Sequence, residues 1–247
     1  MTQERQYSTL SVSEIPTLNL ERELASQGAD LIIGFDEVGR GSLAGPAMVG
    51  AAAIWSRDLT MLSVPDGVAD SKMLTEHRRE AIVEPLKHWC AAYAIGQVTN
   101  REIDQWGIGH ALGIAALRAI GDIEQSLGLG NTDQPANSVT IAGILDGPYD
   151  YITKAIDTFD APTIPVPVTI TTKVKGDRHC ATVATAAVIA KVTRDHLMVK
   201  LAHSKPQYAP YAWEHNKGYG SAAHREAIAT YGPSDLHRVS WNLTSDK

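Results

Sequence analysis

The chain has 247 residues, 44% of them hydrophobic and 20% charged, which suits one globular domain with a sizeable core. Its apolar runs are shorter than the roughly 18–20 residues of a membrane-spanning helix, so we expect no membrane partner. The N-terminal sequence does not resemble a secretory signal, so we expect a cytoplasmic protein. We also expect a monomer. Two cysteines without C-x-x-C spacing argue against a disulfide framework, and a formal net charge of −6 argues against a polyanionic partner unless positive charge is concentrated locally.

Strands and helices alternate along the predicted chain. Apolar and β-branched runs predict strands at 31–36, 47–55, 91–98, 139–147 and 166–177. A helix capped by Thr75 is expected to kink or end at Pro85. A second helix, capped by Asn100, is expected to run to the glycines at 128–130, and a third covers 181–203.

This alternation predicts an α/β fold with a mixed central sheet flanked by helices. We expect an N-terminal extension at residues 1–28 and one domain at 29–247, with a C-terminal helical appendage from about residue 206. Nine Lys and Arg and three acidic residues lie between Thr172 and Arg225. They form either a local basic surface for phosphates or an ordinary solvated helix face.

Acidic residues stand at the ends of three predicted strands. Asp36 and Glu37 follow the first apolar run, and Asp146 and Asp177 end two later strands. Ligand sites of α/β sheets lie at the carboxyl ends of strands, so these acids are candidates to converge on a divalent cation. Oxygen ligands favour Mg²⁺ or Mn²⁺. Taken singly, Asp146 also suits a turn and Asp177 a helix cap.

A glycine-rich stretch follows the first acidic pair. Gly39-Arg40-Gly41-Ser42-Leu43-Ala44 formally matches the dinucleotide-binding pattern G-x-G-x-x-G/A. That pattern must open a helix, whereas this stretch leads into a predicted strand. We therefore interpret it as a loop that approaches a ligand through its backbone, with Arg40 available to hold a phosphate.

Five ordered motifs resemble the ribonuclease HII family. They are "GFDEVGRGSLAGP", "DSKML", "LDG", "KGD" with "AVIAKVTRD", and "NKGYGSAAHREAI" with "YGPSDLHR". The resemblance implies a ribonuclease H-like fold and hydrolysis of the RNA strand of RNA–DNA hybrids. It also implies nicking of duplex DNA on the 5′ side of a single embedded ribonucleotide.

The resemblance further implies roles for individual residues. The four metal ligands, which are also the catalytic residues, fall on Asp36, Glu37, Asp146 and Asp177. The loop that contacts the 2′-hydroxyl at the RNA–DNA junction falls on Gly39, Arg40 and Gly41. The residues that contact phosphate fall on Ser71 and Lys72, and the tyrosine that stacks on a sugar falls on Tyr219.

Phosphodiester hydrolysis agrees with this assignment, because two divalent ions supply an activated water and stabilise the leaving oxygen. We expect Asp36 to bridge both ions and the products to be a 3′-hydroxyl and a 5′-phosphate. His179, His215, His224 and His237 are interpreted as structural rather than catalytic. The alternative function is a non-catalytic nucleic-acid or nucleotide-binding module on the same fold.

Overall fold

A single mixed sheet organises the computed structural model, which describes residues 15–68, 74–130 and 139–244. Its strands are β1 (Leu31–Val38), β2 (Ala47–Trp55), β3 (Ala92–Val98), β4 (Ile141–Asp146) and β5 (Val168–Lys173). The strand order is β3-β2-β1-β4-β5. β1 is central, because it pairs antiparallel with β2 and parallel with β4.

Helices cover both faces of this sheet. They are α1 (Asn19–Ser26), α2 (Glu76–Trp89), α3 (Asn100–Trp106), α4 (Ile108–Ser126), α5 (Gly176–His179), α6 (Ala181–Ala202), α7 (Trp213–Asn216) and α8 (Ala222–Tyr231). α4 packs on β2 and β3, and α6 packs on β1 and β2. Within the described ranges, no helix combines the length and apolar character needed to cross a membrane.

Successive side chains of β1 face opposite sides of the sheet. Ile33 and Phe35 are buried in the cluster that contains the α4 side chains, whereas Ile32 is buried in the cluster that contains the start of α6. Gly34 lies against the backbone of Thr182, where an added Cβ would overlap the helix. A glycine here therefore lets the first turn of α6 approach the strand closely.

The second helix corrects one expectation. Thr75 caps α2 as predicted, with its Oγ1 accepting from the Arg78 backbone nitrogen at 3.3 Å. However, α2 does not end at Pro85 and continues to Trp89. Leu86, directly after the proline, is fully buried. Burial of this last turn offsets the one backbone hydrogen bond that a proline removes.

The long helix predicted from Asn100 is two helices. Gly107, with φ of +76°, separates α3 from α4. The N-cap is Thr99 rather than Asn100, and Thr99 and Glu102 form a capping box. The Asn100 side chain instead donates to the carbonyls of Asp235 and His237, at 3.1 and 3.0 Å. This residue ties α3 to the C-terminal segment.

The two ends of the described chain pack on different parts of the fold. Leu18 and Leu24 of the N-terminal part are buried with the start of α6. The segment from Pro206 onward, which contains α7 and α8, has a separate cluster that includes Trp213 and also buries Met198 of α6. The division at residue 28 stays a prediction. The predicted helix at 181–203 corresponds to α6.

Candidate metal centre

Three carboxylates meet at the carboxyl ends of the two central parallel strands. They belong to Asp36 in β1, Asp146 at the end of β4 and Asp177 in α5. Each offers one oxygen, and the three oxygens lie within 4.8 Å of one another. Asp36 is 8% exposed and Asp177 is 4% exposed, so the group is largely removed from water.

Asp177 is placed by a tight turn rather than by a strand end. β5 ends at Lys173, so the prediction of a strand continuing to Asp177 is wrong. Lys175 adopts a left-handed conformation with φ of 56°, which stops the strand and starts α5. The backbone nitrogen of Gly176 then donates to Asp146 Oδ1 at 2.7 Å. This hydrogen bond couples the turn that carries Asp177 to the end of β4.

The donor set fits a divalent cation. Carboxylates this close repel one another unless a cation or a proton neutralises them. The set contains only oxygen ligands, which are those that hard ions such as Mg²⁺ and Mn²⁺ prefer. The residues present could therefore hold such an ion.

Glu37, the fourth predicted ligand, is not a member of this group of three. Its Oε1 lies 3.2 Å from Arg40 Nη1, and its Oε2 accepts from the hydroxyl of Tyr151 at 3.2 Å. Strand alternation explains the separation, because Asp36 faces the α6 side and Glu37 faces the α4 side. Glu37 nevertheless lies at the same end of the sheet.

Tyr151 is a neighbour of the acids that sequence reasoning missed. Burial, followed by the negative charges of Glu37 and Asp36, raises the pKa of Tyr151 well above its usual value. Its hydroxyl therefore remains a proton donor to Glu37. The sequence does place a tyrosine, Tyr151, five residues after Asp146. However, no spacing rule favours Tyr151 over the nearby Tyr149 as a neighbour of the acids.

The glycine-rich loop is held by two buried arginines. Arg238 donates to the carbonyls of Gly39 and Arg40, at 2.7 and 2.8 Å. Arg194 donates to Ser42 Oγ at 2.7 Å and to the Pro46 carbonyl at 2.9 Å. Both arginines are 0% exposed. The shape of the loop is thus fixed by charge-assisted hydrogen bonds from α6 and the C-terminal segment.

Burial changes how these arginines are interpreted. The sequence placed Arg194 among the residues of a possible basic surface, but it lies inside the protein and does not contribute to one. Arg194 lies four residues from Ala190 and four residues from Met198, and both of these residues are buried. This helical spacing was the sequence signal that the Arg194 side chain faces the interior. Burial and then the charge of Arg194 lower the pKa of Arg238 to about 9, which still leaves it charged at neutral pH.

Tyr219 lies against this loop. Its hydroxyl accepts from the Gly39 backbone nitrogen at 3.2 Å, and its ring centroid is 5.3 Å from Arg194 Cζ. Gly41 has open space around it, and the Arg40 side chain is 56% exposed. Four of the predicted substrate residues are therefore neighbours. Ser71 and Lys72 lie outside the described residues.

A buried histidine pair supports the backbone of Tyr219. Ser234 N donates to His237 Nδ1 at 2.9 Å, which leaves the proton of His237 on Nε2, 3.1 Å from His224 Nε2. Trp213 also donates to His224 Nε2, and His224 Nδ1 donates to the Tyr219 carbonyl at 2.8 Å. Burial lowers the pKa of both histidines, to about 4 for His237. Neither belongs to the carboxylate group.

A family model described as ribonuclease HII matches residues 33–244 of this chain. The chain belongs to the ribonuclease HII family. It is 38% identical over 229 residues to the ribonuclease HII of Streptomyces avermitilis, covering 92% of this chain and 84% of that protein. It is 37% identical over 221 residues to the ribonuclease HII of Bacillus subtilis, covering 90% and 73%.

Solved structures agree on the fold. A crystal structure of ribonuclease H2 from Pyrococcus horikoshii OT3 superposes with a TM-score of 0.59 at 25% identity, covering 87% of this chain and 95% of that one. Bst-RNase HIII in complex with Mn²⁺ gives 0.64 at 20% identity, covering 89% and 70%, and this match shows the fold alone. The ribonuclease H-like fold is confirmed.

Family membership also establishes the general activity. Like other ribonuclease HII proteins, this chain is a metal-dependent ribonuclease H endonuclease that acts on RNA–DNA hybrids. An enzyme is therefore supported over the non-catalytic binding module. The acidic group of three is the candidate metal site of this fold.

Proposed function

We propose that this ribonuclease HII also nicks duplex DNA 5′ to a single embedded ribonucleotide, leaving a 3′-hydroxyl and a 5′-phosphate. The observation that carries the proposal is that the carboxylates of Asp36, Asp146 and Asp177 meet, and that a fixed glycine loop starts only three residues after Asp36. One ribonucleotide suffices for recognition if the loop reads a single sugar beside the metal centre.

The loop suits recognition of one 2′-hydroxyl. This group is what distinguishes RNA from DNA at a given sugar. The Tyr219 hydroxyl accepts from Gly39, so its own proton can be donated to a 2′-hydroxyl that lies against the loop. The open space at Gly41 leaves backbone groups accessible to the same sugar. Such contacts are independent of the base, so we expect no sequence preference.

The acids on the two sides of β1 suit two divalent ions, Mg²⁺ or Mn²⁺. Asp36, Asp146 and Asp177 would hold one ion, and Glu37 would serve the second, with Asp36 shared. Bound ions supply an activated water and stabilise charge on the leaving oxygen. Tyr151 orients Glu37 through its hydroxyl, and Arg40 lies beside the same carboxylate and offsets its charge. A monomer provides all of these residues.

The test is cleavage of a labelled duplex that contains one ribonucleotide, with Mg²⁺ or Mn²⁺ added. We expect one nick 5′ to the ribonucleotide, and extension of the product by a DNA polymerase would identify its 3′-hydroxyl. Asp146→Asn should lower the rate at least about 100-fold. Asp157→Asn, an exposed acid in the following segment, is the control and should leave the rate unchanged. An uncut duplex, or full activity in Asp146→Asn, would overturn the proposal.

A further inference from the structure

A small cavity lies beside Glu37, to which it is linked by Tyr151. It has a volume of about 150 Å³ and is lined by Gly109, His110, Tyr149, Tyr151, Lys154 and Ala155. The first two residues belong to the start of α4, and the other four belong to the segment between β4 and β5. We call it the tyrosine–lysine cavity. None of its lining residues is among the predicted site residues.

Tyr151 connects this cavity to the acids. Its hydroxyl donates to Glu37 Oε2, while Glu37 Oε1 contacts Arg40 of the glycine loop. One carboxylate oxygen of Glu37 therefore contacts the glycine loop, and the other contacts a residue that lines the tyrosine–lysine cavity. A nucleic-acid strand that passes Glu37 could therefore contact both the glycine loop and the cavity.

The chemistry of the cavity suits a nucleotide. The Tyr149 residue is 50% exposed, and Lys154 Nζ lies 3.8 Å from its ring centroid. An exposed aromatic ring can stack on a base or a sugar, and an ammonium group can contact a phosphate. At the same cavity, His110 Nε2 lies 3.5 Å from Asp160 Oδ2.

We propose that the tyrosine–lysine cavity binds the nucleotide immediately 5′ of the scissile phosphate, with its base unstacked from the duplex onto Tyr149 and a phosphate on Lys154. The inference rests on the proposed function, which sets its direction. If the loop holds the ribonucleotide, cleavage occurs 5′ to it and the strand continues past Glu37, the nucleotide that reaches the cavity is the 5′ neighbour. The site accepts any base, because a stacking contact does not read base edges.

The experiment compares two duplexes that differ at this one nucleotide. The first has an ordinary deoxynucleotide 5′ to the single ribonucleotide, and the second has an abasic site there, which keeps the phosphate and removes the base. Tyr149→Ala should raise KM about tenfold on the first duplex and leave KM unchanged on the second. Tyr149→Phe, which keeps the ring, should match the wild type on both.

A second variant tests the phosphate contact. Lys154→Ala should reduce the slope of log Kd against log salt concentration by about one, measured by fluorescence anisotropy without divalent ions. Phe159→Ala removes a fully exposed ring from the same segment and is the matched control, with no change in KM or in the slope. Thermal unfolding of each variant checks that the fold is retained.

The outcomes separate the two proposals. A wild type that fails to nick either duplex contradicts the proposed function. A wild type that nicks, together with a Tyr149→Ala variant that is unaffected or equally impaired on both duplexes, overturns the assignment of the cavity. An unchanged salt slope in Lys154→Ala overturns the phosphate contact.

Discussion

The hydroxyl of Tyr219 lies 3.2 Å from the backbone nitrogen of Gly39 and accepts its hydrogen bond, although the two residues are 180 positions apart. The contact joins a ring that is predicted to stack on a sugar to a loop that is predicted to sense the 2′-hydroxyl of its neighbour. Substitutions at Tyr219 therefore test both roles, and they test them separately.

Tyr219→Phe keeps the ring and removes the hydroxyl. We expect kcat/KM on a single-ribonucleotide duplex to fall about tenfold, because the Gly39 N–H loses its acceptor and the 2′-hydroxyl loses a donor. Tyr219→Ala should cause a larger loss, since the stacking surface is also removed. Tyr231→Phe changes an exposed tyrosine of α8 and is the control. Equal activity of Tyr219→Phe and the wild type would contradict the hydroxyl's role.

Arg238→Met tests how the glycine loop is held. Removing the guanidinium leaves the carbonyls of Gly39, Arg40 and Gly45 without these donors. We expect the free energy of unfolding to fall by about 3 kcal/mol and kcat/KM to fall with it. Denaturant titration measures the first quantity. Arg22→Met, at an exposed position of α1, should change stability by less than about 0.5 kcal/mol. A fully stable Arg238→Met would show that the loop does not depend on this side chain.

The histidine pair predicts acid sensitivity. Burial, followed by the charge of His224, lowers the pKa of His237 to about 4, whereas an unfolded histidine titrates near 6.5. Between about pH 6.5 and 4 the unfolded chain binds more protons, so stability should decrease as the pH falls through this window. Denaturant midpoints across the range measure the effect. His237→Gln should flatten the profile, and His203→Gln, at an exposed position, should not. A profile unchanged in His237→Gln would contradict this explanation.

Glu21 predicts the opposite dependence on pH. Its Oε1 accepts from the Thr182 nitrogen and hydroxyl at the start of α6, and its Oε2 is buried with no partner among the described residues. Burial raises the pKa of Glu21 above its ordinary value. The Glu21 carboxyl therefore keeps its proton to a higher pH in the folded chain than in the unfolded chain. The contribution of Glu21 to stability decreases as the pH rises above about 4.5.

Glu21→Gln should therefore be more stable than the wild type at pH 8, with the difference disappearing toward pH 4.5. Glu21→Ala removes the acceptor and should lose about 1–2 kcal/mol. Thermal unfolding at several pH values measures both variants, and Glu23→Gln, an exposed acid of the same helix, is the control. A Glu21→Gln variant less stable than the wild type at pH 8 would contradict the raised pKa.

Local patterns predicted the elements well, and the errors lie where distant residues decide. The apolar runs predicted all five strands, and the long helix at 181–203 corresponds to α6. Pro85 was predicted to kink or end its helix, and it does not end it, because burial of Leu86 stabilises the last turn. The prediction of one helix from Asn100 to the glycines at 128–130 was wrong, because Gly107, with its positive φ, divides that segment into α3 and α4.

At the candidate site, the structure brings together three of the four acids that the sequence singled out, and their roles stay a prediction. Strand alternation alone would have placed Asp36 and Glu37 on opposite sides of β1. Glu21 and Arg238 could not be found this way, because charged residues are ordinarily exposed. Their burial follows from packing between segments far apart in the chain, which no local pattern encodes.

The bond from Arg238 to the Gly39 carbonyl spans 199 positions and has a consequence for biosynthesis. The strand that carries Asp36 leaves the ribosome long before the arginine that shapes the neighbouring loop. A nascent chain that stops short of Arg238 carries all four acids but lacks the guanidinium that fixes the loop. If the loop reads the sugar as proposed, that property is acquired only after Arg238 has been synthesised.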